Sequence, residues 1–164
     1  MRIEEKLRQM GLELPPTPTP SGSYIPALCV GDLIFASGQA PCQNGQAVYN
    51  GVSYKGKAGK EISVEKAYEA ARICALLLLA EIKYAIGDLD RIDRIVKLNG
   101  FVNSTDDFKD QPKVINGASD LLIELFGENG RHARSAVGVS TLPCDVCVEI
   151  ELIAILKPET VANA

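Results

Sequence analysis

The sequence predicts an α+β fold: one β-sheet with two main helices packed on one of its faces. Two observations carry this. Only two long stretches keep apolar residues at helical spacing, about 63–86 and 112–126, whereas five or six shorter runs alternate with period two. The order that follows is β-hairpin, β, long α, β, α, β-hairpin, and 164 residues suit one core of ordinary size.

Residues 3–10 predict a short amphipathic helix with Ile3, Leu7 and Met10 on one side and Gly11 as its stop. Pro15-Pro16-Thr17-Pro18-Thr19-Pro20 must then be extended, because proline lacks an N–H and restricts the residue before it. The chain is thus divided into a helix and stiff arm (1–21), a main domain (22–157) and a tail (158–164). Tyr24 to Ala40 reads as two strands meeting at Gly31-Asp32. Asn44-Gly45 is a hairpin signal that predicts a returning strand over about Gln46 to Val52. Tyr54 to Glu61, with its KGKAGK run, reads as an exposed loop, with a phosphate-binding loop as the alternative.

Ser63 caps the long helix, whose apolar stripe runs through Ala67, Ala70, Ala71, Cys74, Leu77, Leu78, Glu81 and Ile82 to a stop at Gly87. A strand follows at Ile92 to Val102, with Val96, Leu98, Gly100 and Val102 on one face. The second helix starts near Pro112 and ends at Phe126 before Gly127. Arg131 to Leu156 then reads as a closing hairpin turned at Leu142-Pro143-Cys144-Asp145. Its alternation places Arg134, Ala136, Gly138 and Ser140 on one face, together with Glu149 and Glu151 of the returning strand. With Thr141 opposite Val146, Glu149 lies opposite Gly138 and Arg134 opposite Ile153, four residues at ~3.4 Å each, on the order of 13 Å apart. A site using both residues then needs a bend, a bulge, or two chains. Both helices on one face also leave the other face bare, too apolar for water and therefore suited to another subunit.

Composition narrows the function classes. With 46% hydrophobic and 23% charged residues, a formal charge of −4 and no Trp, the chain has neither the basic surface nor the stacking platform of a nucleic-acid binder. No segment approaches the ~20 apolar residues of a membrane span, and Glu4 and Glu5 interrupt any signal-like start, so the cytoplasm is expected. Five cysteines at 29, 42, 74, 144 and 147 fit buried, reduced thiols. Cys144-x-x-Cys147 lacks the second ligand pair a zinc site requires, so no metal is expected. The single histidine, His132, reads as a satisfied polar residue; general-base chemistry is better placed on Glu149 or Glu151. Ser37 has no His-centred triad within reach, while its neighbour Gly38 permits close approach of a ligand to the backbone.

Three separated blocks, GSYIPALCVGDLIFASGQAP, KLNGFVNSTDDF and ARSAVGVSTLPCDVCVEIELIAI, make residues 22–156 resemble the YjgF/YER057c/UK114, or Rid, family of reactive-intermediate deaminases. The resemblance implies a chorismate-mutase-like single domain with a mixed sheet, assembled as a homotrimer with clefts between subunits. It implies hydrolysis of enamines and imines such as 2-aminoacrylate to 2-oxo acids and ammonia, with no cofactor. By the same resemblance Arg134 clamps the carboxylate of the substrate, which suits a planar bidentate guanidinium. Glu149 positions the water, Tyr24 borders the cleft, and Gly38, Ala136, Asn116 and Ser37 line it. Ala136 stands where the family commonly has Cys, which leaves only a backbone role there, and Gly22-Ser23-Tyr24 replaces the usual G-P-Y. The extended N-terminus marks a divergent subgroup, for which a non-enzymatic carboxylate-binding module using the same cleft is the alternative. A ribonuclease role, an old label of the family, suits neither the acidic charge nor the lone histidine.

Overall fold

A computed structural model describes residues 2–17, 19–20 and 22–158. The sheet has five strands: β1 (Ala27–Val30), β2 (Leu33–Gln39), β5 (Ile92–Asn103), β6 (Ala133–Val139) and β7 (Val148–Leu156), in the order β1-β2-β7-β5-β6. Only β5 and β6 run parallel, so the sheet is mixed. A separate two-stranded ribbon joins β3 (Val48–Tyr49) to β4 (Val52–Ser53). Helices α2 (Val64–Ile86) and α3 (Gln111–Phe126) pack on one sheet face. There Ile34, Ile95, Leu98, Val102, Val148, Ile150 and Ala154 are fully buried against Ala70, Cys74, Leu78, Ile115 and Leu122. The α+β architecture expected from the sequence is therefore present.

The helix boundaries follow the local chemistry. Ser63 accepts the Lys66 N–H at 3.2 Å, satisfying a donor that the first turn would otherwise leave free. Gly87 ends α2 at φ 83°, and Gly127 ends α3 at φ 62°. The N-terminal helix α1 (Ile3–Gln9) docks against the body through Ile3 and Leu7, with Lys6 Nζ donating to Leu125 O at 2.6 Å. Within the proline arm, Pro18 lies outside the described residues, as do 159–164 of the tail.

The main correction concerns the expected closing hairpin. β6 and β7 do not pair with each other, because β5 lies between them, parallel to β6 and antiparallel to β7. The connection passes across the end of β5 through a 3₁₀ turn at Pro143–Asp145, with Cys144 at φ 55° and Asp145 at φ 57°. Asn103 pins this crossing: its N–H donates to Cys147 O and its amide to Asp145 Oδ1. Lys57 Nζ donates to Asn103 Oδ1 at 2.9 Å and also reaches Ser140 O. Lys57 is therefore a strut, and the segment expected as an exposed loop is a loop exposed at Lys55, Gly59, Lys60 and Glu61 but anchored by buried Tyr54 and Ala58.

Smaller departures have similar causes. Asn44 and Gly45 do adopt positive φ, but the turn makes a single bridge, Gln43 to Gln46. A second positive-φ pair, Asn50-Gly51, turns the β3–β4 ribbon and breaks the expected strand at Gln46 to Val52. Val96 is exposed rather than in line with Leu98, because a register shift between Ile95 and Lys97 rotates it outward. Of the five cysteines, all free, Cys74 and Cys147 are buried while Cys29 and Cys144 are exposed.

The sheet face away from the helices carries Leu28, Val30, Phe35 and Val137, each 39–56% exposed. Beneath the opposite face, Glu81 of α2 is 1% exposed and accepts Gln39 Nε2 at 2.6 Å. Its second oxygen is buried with no partner among the described residues, and burial pushes the carboxyl up to about 8. Such a group favours the folded state while protonated and withdraws that contribution as pH rises from its unfolded pKa towards 8. We expect unfolding free energy to fall by on the order of 2–3 kcal/mol between pH 5 and pH 7 on account of Glu81. Chemical denaturation of Glu81→Gln should show that part of the slope removed; an unchanged slope would place the titration elsewhere.

Candidate functional site

Strand register decides where each candidate points. Glu149 pairs with Phe101 and Glu151 with Asn99, both on the bare face. Arg134 pairs across with Leu98, which pairs in turn with Leu152, and both leucines are buried under the helices. Arg134 therefore faces the helix side, and the expectation that it shares a face with Glu149 and Glu151 is overturned, together with the Gly138–Glu149 and Arg134–Ile153 register. The sequence-predicted residues separate into two clusters with β5 between them.

The first cluster lies on the bare face. The carboxylate of Glu149 rests over Gly38, so closely that a Cβ at Gly38 would run into Glu149 Oε1. A register shift in β2 between Ala36 and Gln39 shapes the backbone at this point. Ser37 is held by its Oγ donating to Ile25 O at 2.7 Å and its N–H donating to Pro26 O at 2.8 Å. Tyr24, Phe35, Ser37, Lys97, Asn99 and Glu151 line an open groove of about 460 Å³. Glu151 is engaged there by Asn99 Nδ2 at 2.8 Å. Glu149 accepts no hydrogen bond among the described residues, and burial, then the charge of Glu151, raises its pKa above the usual carboxylate range. Cys42, next to Cys144 and Glu149, is pushed up to about 11 by burial first and then by those neighbours. Cys144 thus sits beside Cys42, while Cys147 is in the core, so the C-x-x-C spacing brings no pair together.

The second cluster lies at the sheet margin. β6 ends the sheet, so one edge of its backbone meets no strand among the described residues. Arg134 Nη1 donates to Asn116 Oδ1 at 2.8 Å and to Ser119 Oγ at 3.0 Å, and Nη2 lies 3.4 Å from Pro112 O. Ala136 follows on the same strand face. His132 contacts Ser119 Oγ through Nε2 at 3.0 Å and Gly130 O through Nδ1 at 2.6 Å. Burial, then Arg134, lowers its pKa against the opposing effect of the Gly130 carbonyl. Ser119 was not foreseen; its place three residues after Asn116 puts both on one face of α3, and that spacing was the available signal.

The family model described as YjgF/chorismate mutase-like, putative endoribonuclease, matches residues 4–156. The chain belongs to this family. Protein TCP17 of Trypanosoma cruzi is 41% identical to this YjgF-like chain over 157 residues, 95% of each. The crystal structure of Atu1372 from Agrobacterium tumefaciens superposes with a TM-score of 0.82 at 41% identity, covering 94% of this chain and 91% of that one. A 2-iminobutanoate/2-iminopropanoate deaminase of Salmonella typhimurium is 28% identical over 142 residues, covering 85% of this chain and 92% of its own.

The raised pKa of Glu149 can be read directly. Carboxyl-carbon NMR should show Glu149 titrating above ordinary glutamate, and Glu151→Gln should lower its midpoint by removing a like charge. A midpoint at the ordinary value in both proteins would refute the placement of Glu149.

Proposed function

We propose that this YjgF-family chain hydrolyses enamine and imine intermediates of the 2-aminoacrylate type to 2-oxo acids and ammonia, in clefts formed between subunits of a homotrimer. The observation that carries the reading is the division of the site. Arg134, Asn116 and Ala136 lie on the helix side at the open β6 edge, while Glu149, Gly38, Ser37 and Tyr24 lie on the bare face. A single chain cannot bring them onto one small molecule. An open strand edge and an apolar bare face are the surfaces a second copy would cover, and their meeting would join one copy's Arg134 cluster to another's Glu149 cluster.

The chemistry then follows from the groups present. Protonation at carbon converts the enamine to its imine, whose carboxylate is held by Arg134. Glu149 accepts a proton from water as the oxygen attacks the imine carbon. A carboxylate with a raised pKa is the better base for this step near neutrality. Glu149 returns that proton to the nitrogen of the carbinolamine, the C–N bond breaks with release of ammonia, and the hydroxyl gives its proton back to Glu149 as the C=O of the 2-oxo acid forms. The likeness to the Salmonella typhimurium deaminase supports the choice of substrate class. A net charge of −4 gives no support to the endoribonuclease description attached to the family.

Arg134→Ala should slow the accelerated loss of an imino acid generated in situ by about 100-fold, the worth of a charge-assisted bidentate contact of about 3 kcal/mol. Arg134→Lys should recover only part of this, because it keeps the charge and loses the fork. Rates equal to wild type in both would sink the assignment; tight 2-oxo-acid binding without turnover in the wild type would replace it with a carboxylate-binding module. Glu149→Gln should remove the rise in rate with pH through the elevated Glu149 pKa. A monomer by sedimentation would remove the shared site.

A further inference from the structure

Arg134 is held by more than Asn116, and the donors and acceptors around it can be assigned in only one direction. The carbonyl of Gly130 can only accept, so His132 Nδ1, 2.6 Å away, carries the hydrogen. In the neutral ring Nε2 is then an acceptor, so the Ser119 hydroxyl, at 3.0 Å, must donate to it. That leaves the lone pairs of Ser119 Oγ for Arg134 Nη1 at 3.0 Å. The two hydrogens of Nη1 are thereby both used, one on Asn116 Oδ1 and one on Ser119 Oγ. What remains is the Nε edge of the guanidinium with Nη2, whose one hydrogen bond among the described residues, to Pro112 O, is long at 3.4 Å.

We infer that Ser119 and His132 are positioning residues: they lock Nη1 of Arg134 so that a carboxylate is received side-on, by Nε–H and Nη2–H together. This rests on the reading of Arg134 as the carboxylate clamp. The parallel N–H pair along the Nε edge matches the two oxygens of a carboxylate, and a guanidinium fixed beforehand loses less freedom on binding. The relay runs from Arg134 through Ser119 and the His132 ring to Gly130 O, with no branch left for a proton on Nε2. Protonating His132 turns Nε2 into a donor, reverses the Ser119 hydroxyl and sets a second cation beside Arg134. The groups facing His132 do little to favour that state. α3 offers the uncharged Ser119, the turn before β6 offers the Gly130 carbonyl, β6 offers Arg134, and the nearby Glu128 is already engaged by Arg131 at 3.0 Å. Lys97 of β5 contacts Ser135 on the other face.

Two readouts test this on the full-length protein. Nitrogen NMR of His132 should show the neutral Nδ1–H tautomer, and binding of 2-oxobutanoate, an unreactive carboxylate, should report on Arg134. Ser119→Ala and His132→Ala should each weaken that binding about tenfold, the worth of one hydrogen bond to a charged group. They should raise KM with kcat within about twofold, because the clamp holds ground state and transition state alike. Ser119→Thr, which keeps the hydroxyl, should restore binding, and wild-type affinity should fall as His132 protonates. An Nε2–H tautomer, or Ser119→Ala binding as tightly as wild type, overturns the relay. A wild type that shows the Nδ1–H tautomer but neither binds the carboxylate nor consumes the imine overturns the functional reading of Arg134 and leaves the assigned hydrogen-bond direction standing.

Discussion

The central strand β5 is the constraint on which the rest of the molecule depends. Its twelve residues, Ile92–Asn103, pair with β7 along one edge and with β6 along the other, so Arg134, Ala136, Glu149 and Glu151 are placed by their register to β5. Leu98 sends Arg134 to the helices, Phe101 sends Glu149 to the bare face, and Gly100 brings Ala136 in line with Ile150. The end of β5 also determines how the chain gets from β6 to β7. Asn103 bonds the returning segment at Cys147 and Asp145, and Lys57 braces it from a different part of the chain. A crossing with two positive-φ residues, Cys144 and Asp145, is a costly path. It is tolerated because these bonds take up backbone groups that would otherwise be lost from water.

Much of this could be read from the residues alone, and what could not has definite physical reasons. Helix limits are written in local chemistry, as with Ser63 and Gly87, where a side chain or a positive φ decides the outcome within one turn. The bare sheet face was also readable, since two helices can cover only one side. Pairing was not. Two period-2 runs joined by Pro-Cys-Asp satisfy a hairpin and a crossing over a third strand equally, because alternation records which residues share a side and not which strand lies next door. Choosing wrongly put Arg134 on the wrong face while leaving its neighbours Ala136 and Gly138 correctly grouped with it. Val96 escaped for a related reason: a bulge resets the alternation without any mark in the residue itself.

The polar groups inside the molecule fall into two kinds, and the contrast separates framework from chemistry. Lys57, Asn103 and His132 have their partners within the chain, and each ties together segments distant in sequence. Glu149 differs: it is half-buried, it accepts no hydrogen bond among the described residues, and it sits against a glycine that leaves room for its carboxylate. Retaining a carboxylate in that condition costs stability, since its charged form is disfavoured by burial and by Glu151 together. Glu81 shows how the same cost appears without a comparable opening to solvent, buried in the helix layer with Gln39 as its one side-chain hydrogen-bond partner among the described residues.

Arg134 completes the contrast from the opposite sign of charge. One nitrogen is consumed by Asn116 and Ser119, while the other edge is nearly free. Arg2 is the opposite case, because its Nε and Nη2, the side-on edge of the fork, are already taken by Asp90 and Asp88. Half-anchored, Arg134 keeps a fixed direction and retains unspent donors, which is the condition for pre-organised recognition of a planar anion. Glu149 carries the complementary charge on the other face of the sheet, where no ion pair to it is formed among the described residues. On the proposed function, these two opposite charges on opposite sides of the sheet would act on one substrate, with a carboxylate at one end and an electrophilic carbon at the other, only where two copies of the chain met.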